Sequence, residues 1–122
     1  MTHQTALSVR QPWAWAIIHA HKDVENRSWP TRYRGPLLIH AGKREDPEGW
    51  AVLEAMRLEL PLSVPTGGII GTVDLIDCVQ GHPSRWAQDG CWHWLLSDAR
   101  PLPFRACKGS LGLFQPSSEA TR

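Results

Sequence analysis

Lys22, Glu25 and Arg27 lie close together in the stretch Lys22-Asp23-Val24-Glu25-Asn26-Arg27-Ser28-Trp29. Val24 to Trp29 alternates as a strand does, which puts Glu25, Arg27 and Trp29 on one face and Val24, Asn26 and Ser28 on the other. Lys22 ends the helical pattern just before, so Lys22, Glu25 and Arg27 are expected to converge at a helix-to-strand corner. Near a phosphate, an ammonium acts as a point charge and a guanidinium as a bidentate fork. A carboxylate accepts from the exocyclic amine of a base, or holds the arginine in place. Trp29 adds a ring for stacking, a contact worth ~1–3 kcal/mol with a base. The competing structural reading is a solvated strand face whose Glu–Arg pair contributes less than ~1 kcal/mol.

Gln11-Pro12-Trp13 begins the helix beside the same corner. Backbone N–H groups at a helix start favour anions, and the Gln11 amide can read a base edge. Trp13 is either a wall of that cleft or part of the core. His40, Lys43, Lys108 and Ser110 form a second rank of candidate ligand contacts, although His40, within a strand, equally suits a satisfied barrel residue. Cys78, His82, Cys91 and His93 lack a close pair of ligand spacings, so neither a metal nor another cofactor is expected. Gly67-Gly68 and the segment Gly109 to Gly112 lack the context of a phosphate loop and read as turns or bulges.

The elements that must hold these residues follow from the pattern. Ala6 to Val9 reads as an opening strand. Trp13 to His21 is helical, with Trp13, Ile17 and Ala20 on a core face and Trp15, His19 and Lys22 along the opposite one. Leu37 to Ala41 is a strand after the turn Arg34-Gly35-Pro36. Pro47 opens a second helix running to about Leu60, with Trp50, Leu53, Met56 and Leu60 as its buried stripe. Ile69 to Val79 is the longest apolar run and suits a strand covered on both faces for much of its length. Gly81 to Gly90 is a polar loop carrying Trp86, Cys91 to Leu96 is a strand punctuated afterwards by Pro101 and Pro103, and Lys108 to Phe114 closes the chain. The expectation is an α+β fold: a mostly antiparallel β-barrel of five or six strands, with two flanking helices.

The 122 residues make one domain, with a core from about 6 to 115 and a polar, frayed tail over 117–122. Lysine and arginine number 13 against 12 acidic residues, so any basic site must be a local cluster. Seven tryptophans are too many to bury cheaply in so short a chain, which leaves some at the surface as stacking platforms. Met1-Thr2-His3-Gln4-Thr5 has neither a basic start nor an apolar run, and no stretch approaches ~20 apolar residues. Three widely spaced cysteines then imply reduced thiols and a cytoplasmic setting, with no membrane partner.

Leu7-Ser8-Val9-Arg10-Gln11-Pro12-Trp13-Ala14 followed by Lys22 to Trp29 resembles the opening signature of the activating signal cointegrator homology (ASCH) family. Arg34 to Gly42 is similar to its next strand, Gly68 to Cys78 to its central strand, and Lys108-Gly109 with Gly112-Leu113-Phe114 to its closing strand. The resemblance implies a PUA-like barrel with a cleft between the first helix and the sheet, and a protein that binds RNA or a modified nucleoside. It also leaves open a small metal-independent hydrolase, either a ribonuclease or an amidohydrolase of N4-acetylcytidine. The amidohydrolase branch carries Lys-x-x-Thr at this corner. Lys22 is kept here, but Glu25 stands where the threonine would be, so catalysis would fall to Lys22 and Glu25 with the carboxylate activating water. A domain that meets protein partners through exposed tryptophans is the third reading.

Overall fold

The computed structural model describes residues 4–116; the expected polar tail over 117–122 lies outside them. Eight elements follow in order: β1 (Ala6–Gln11), α1 (Trp13–His19), β2 (Val24–Arg27), β3 (Gly35–Glu45), α2 (Pro47–Ala55), β4 (Gly68–Val79), β5 (Trp92–Ala106) and β6 (Leu113–Phe114). The six strands form one sheet in the order β2-β5-β4-β3-β1-β6, curled into a half-barrel. Only the β1–β3 pair is parallel. The chain crosses from β1, near one end of the sheet, to β2 at the other, and α1 makes that crossing.

α1 lies in the hollow of the sheet and touches β1, β3, β4 and β5. Ala14, Ala16, Ile17 and Ile18 are all buried there, packed with Leu7, Val9, Leu37, Ile39, Val73, Leu75 and Trp94. The expected core stripe of Trp13, Ile17 and Ala20 is too narrow, because a concave sheet surrounds the helix on more than one side. Small alanines let the helix sit deep. No helix among the described residues is long and apolar enough to cross a membrane.

Several expected elements change length: β3 extends over Gly35–Glu45, and the closing strand shrinks to Leu113–Phe114. α2 stops at Ala55, and of Trp50, Leu53, Met56 and Leu60 only Leu53 is buried; Gly49 packs the helix on Pro12 and Trp13 at the start of α1. β5 runs on through Pro101 and Pro103. Its pairing with β2 ends at Val24↔Leu95, so the later residues face another strand, β4, on one side only. Proline is tolerated on such an open edge, where no ladder donor is required of it. β4 is densely buried from Gly68 to Gly71 and then alternates, with Ile76 and Asp77 exposed. One of its faces is therefore open over the second half.

Candidate ligand cleft

α1 ends at His19, two residues earlier than expected, and the chain turns through His21, whose φ of 59° lies in the left-handed region. The Lys22 N–H donates back to Ala16 O at 3.1 Å, which swings the Lys22 side chain inward beneath β2. Its side chain is only 4% exposed. The ammonium donates to the carbonyl of Val24 and to Glu25 Oε1 at 3.3 Å, and stands 5.7 Å from the centre of the Trp13 ring. Glu25, also buried, accepts at Oε2 from Arg27 Nε at 3.0 Å, with Arg27 Nη2 ion-paired to the same oxygen at 2.8 Å. Arg27 Nη2 also donates to Ser8 O at 2.9 Å. One carboxylate thus lies between two cations, in the order Lys22–Glu25–Arg27.

Lys22 and Glu25 form one end of a cleft of about 440 Å³, whose walls include Trp13, Asp46, Val52, Met56, Arg85 and Trp86. The cleft lies between α1, α2 and the 81–90 loop, rather than between α1 and the sheet alone. Asp46 organises the α2 side. Its Oδ1 caps the helix through Glu48 N, while its Oδ2 accepts from Trp13 Nε1 at 2.9 Å. Gly49 lets α2 come close: a Cβ there would stand 2.8 Å from Pro12 Cδ and 3.0 Å from Trp13 Cε2. On the loop side, Asn26 Nδ2 donates to Trp86 O and Asn26 Oδ1 accepts from Gln88 N. Ser84 Oγ reaches Asp23 Oδ1 at 2.6 Å. His93, itself buried, accepts from His82 N at Nδ1, which assigns the remaining proton to Nε2, where it donates to Gln88 O. These bonds present Trp86 to the cleft, with the Arg85 guanidinium 5.2 Å from the Trp86 ring centre.

The other sequence candidates divide by location. Gln11 is fully buried and its amide is committed: Nε2 donates to Pro65 O and Oε1 accepts from Trp15 N. It secures the start of α1 and does not face the cleft. Trp29 lies past the end of β2, outside the cleft, with its ring edge-to-face on Trp94 at 4.7 Å and its carbonyl accepting from Trp94 Nε1. His40 is buried on the opposite face of the sheet, its Nδ1 3.0 Å from Ser8 Oγ and its Nε2 2.7 Å from Cys107 O. It is a satisfied barrel residue. Lys43, Lys108 and Ser110 are exposed and do not line the cleft either. Asn26, Arg85, Trp86 and the α2 residues were missed. A polar loop carrying Trp86 was visible in the sequence, but nothing there tied it to Asn26.

Among the described residues no three metal-ligating side chains gather. Cys78, Cys91 and Cys107 are free thiols, and burial pushes the Cys107 thiol up from its ordinary range, partly offset by the charge of Arg105.

A curled, mostly antiparallel sheet with a helix in its hollow defines a barrel-like α+β domain. The same fold occurs in ASCH from Zymomonas mobilis and in a point mutant of it. Both crystal structures give a TM-score of 0.61 at 17% identity, covering 98% of this chain and 91% and 94% of theirs. At that identity the likeness shows the fold alone. The family model described as ASCH domain matches residues 7–99. Activating signal cointegrator 1 from Mus musculus and from Homo sapiens are 43% and 42% identical over 81 residues, or 60% of this chain. The chain belongs to the ASCH domain family. It spans 14% of the length of those two relatives.

Proposed function

We propose that this domain recognises RNA or a modified nucleoside by taking one base into the cleft. The observation that carries the reading is the buried Lys22–Glu25 pair, backed by Arg27, in a cleft that has indole walls, Trp13 and Trp86. Its volume falls within the roughly 300–1,000 Å³ of small-molecule pockets. Buried ion pairs are costly to assemble, and one at a cleft is better explained by a ligand than by stability. Glu25 Oε1 takes one hydrogen bond and keeps an acceptor site for an exocyclic amine. The two cations hold that carboxylate in one orientation, so its direction is fixed before a ligand arrives. Arg85, in no ion pair with a described residue, supplies a cation at the wall for a phosphate.

Binding is favoured over hydrolysis by what the cleft contains. The Lys22 ammonium already donates to two oxygens and faces the Trp13 ring, and the described lining residues include no hydroxyl or thiol nucleophile. Titrating the protein with cytidine, N4-acetylcytidine and a short single-stranded RNA, by tryptophan fluorescence, tests the reading. Trp86→Ala should weaken binding about 5- to 100-fold, the stacking increment for one base. Release of cytidine from N4-acetylcytidine without added metal, abolished by Lys22→Met, would place the domain among hydrolases instead.

A further inference from the structure

Away from the cleft, the positive charge of the chain is concentrated at one irregularity of the sheet. β1 and β3 run in register from Ala6↔Leu38 to Val9↔Ala41, but the next pair is Gln11↔Glu45. Arg10 therefore lies opposite three residues, Gly42, Lys43 and Arg44. Arg10, Lys43 and Arg44 are all exposed, and none is in an ion pair with a described residue. The 107–109 segment brings a fourth cation to the same place. Cys107 N donates to Gly67 O at 3.1 Å, and a Cβ on Gly67 would stand 3.7 Å from Lys43 Cγ and Cε. Gly109 packs over Ser8 and His40 so closely that a Cβ there would meet His40 Cε1 at 2.8 Å. Lys108, exposed, lies between these two anchors. The nearest carboxylate along the strand, Glu45, accepts from Trp50 Nε1. Four cations against Glu45 and the adjacent Asp46 make a local charge of +2, in a chain whose formal net charge is +1.

Lys43 and Arg44 lie past the last β3–β4 pair, Ala41↔Gly68, and opposite the bulge in β1, so this end of the strand offers unpaired backbone beside its cations. The cluster is also joined to the cleft. Asp46 N donates to Gln11 O at 2.7 Å, and the Asp46 carboxylate holds the indole of Trp13 in the cleft wall. Arg10 and Arg44 are thus one and two residues from the groups that build that wall. We propose that Arg10, Lys43, Arg44 and Lys108 form a phosphate track for single-stranded RNA that leaves the cleft. The ligand is then an oligonucleotide, not a free nucleoside. The proposal rests on the reading of the cleft as a base pocket, and its charge complementarity is to a polyanion with regularly spaced phosphates.

The test is fluorescence anisotropy with a labelled single-stranded RNA of about 12 nucleotides, within the ~4–16 nucleotides one small domain covers, titrated at several salt concentrations. The track's four neutralised phosphates contribute about −3 to the slope of log K against log salt, so raising salt fourfold should weaken binding about 50-fold through them alone. Replacing Arg10, Lys43, Arg44 and Lys108 together by Gln should remove that much of the slope and leave about −0.7, the one phosphate at Arg85, with the circular dichroism spectrum unchanged. A slope left unchanged by the fourfold replacement overturns the track. Lys22→Met is the separate arm: it should lower affinity at every salt concentration with at most one phosphate's worth of slope. If Lys22→Met has no effect while the fourfold variant flattens the slope, the track stands and the base pocket falls. Equal competition by poly-glutamate would assign the surface to acidic polypeptides, and an RNA-free result for the unaltered protein at low salt overturns both.

Discussion

Glu25 is the shared partner of two cations, and this makes an unequal prediction for the two halves of the network. In Glu25→Gln the amide can accept at one end only, so its NH₂ faces either Lys22 or Arg27. Lys22 is then stranded at 4% exposure with the Val24 carbonyl as its remaining polar partner. Leaving a buried charge without its partner costs about 3–5 kcal/mol, and the Arg27 half is discounted because that side chain is 22% exposed. A net loss of about 3 kcal/mol follows. In Lys22→Met the carboxylate keeps both contacts from Arg27, and an apolar stem of matching length fills most of the site, so the loss should be about 1 kcal/mol. Urea unfolding followed by tryptophan fluorescence resolves the difference. With an m-value near 2 kcal/mol/M, the midpoint should fall by about 1.5 M for Glu25→Gln and by about 0.5 M for Lys22→Met. A Lys22→Met loss equal to or larger than that of Glu25→Gln would refute the reasoning, since Arg27 would then not be sustaining the carboxylate.

Trp94→Phe removes the indole donor to Trp29 O and part of a fully buried ring, and should cost about 2 kcal/mol, a Tm fall on the order of 10 °C by calorimetry. Gly49→Ala gains about 1 kcal/mol of helix propensity but drives a methyl into Pro12 and Trp13, so stability should change little while the Trp13 indole N–H resonance shifts and RNA affinity drops. Burial keeps the Cys107 thiol protonated beyond its ordinary range, so in a Cys78→Ser/Cys91→Ser background its alkylation rate should still be rising at a pH where a free cysteine has levelled off. The sign is the same for stability: the folded state holds this proton longer than the unfolded chain, so stability declines as pH climbs through the thiol range.

How much was legible in the sequence depended on how local the determining interaction was. The alternation of Val24 to Trp29 and the helical run before it placed Lys22, Glu25 and Arg27 at one corner, and the structure has them in mutual contact. The barrel-like fold was legible too, because each strand carries its own pattern and the order of short motifs is distinctive. Trp29 was misassigned because period-two alternation was carried two residues past Arg27, where β2 ends and the ring turns onto Trp94. Gln11 was misassigned for another reason: its partners, Pro65 O and the Trp15 N–H, depend on a chain segment 54 residues away. The Asn26 bonds to the 81–90 loop span 60 and 62 residues, and no pattern within β2 distinguishes them from a solvated amide. The length of α2 was overestimated because a continuing apolar period does not reveal that the helix packs on the short surface of Pro12 and Trp13 near its start.

The corner is also where the sheet closes. β2 is the first strand of the order and β1 is next to the other end, and β6 extends β1 only through Ala6 and Leu7. The next carbonyl along β1, that of Ser8, accepts from Arg27 of β2. A guanidinium thus spans the opening of the half-barrel where a seventh strand would lie, and Trp29 with Gly112 fills the gap beside it. Arg27 therefore couples the charge network of the cleft to the curvature of the sheet. A loss of binding on changing Arg27 is expected whether or not it touches a ligand, because its replacement frees both Glu25 and the Ser8 edge. Lys22, held by its own turn on the far side of Glu25, lacks that second duty. Of the two cations, it is Lys22 whose substitution separates recognition from folding.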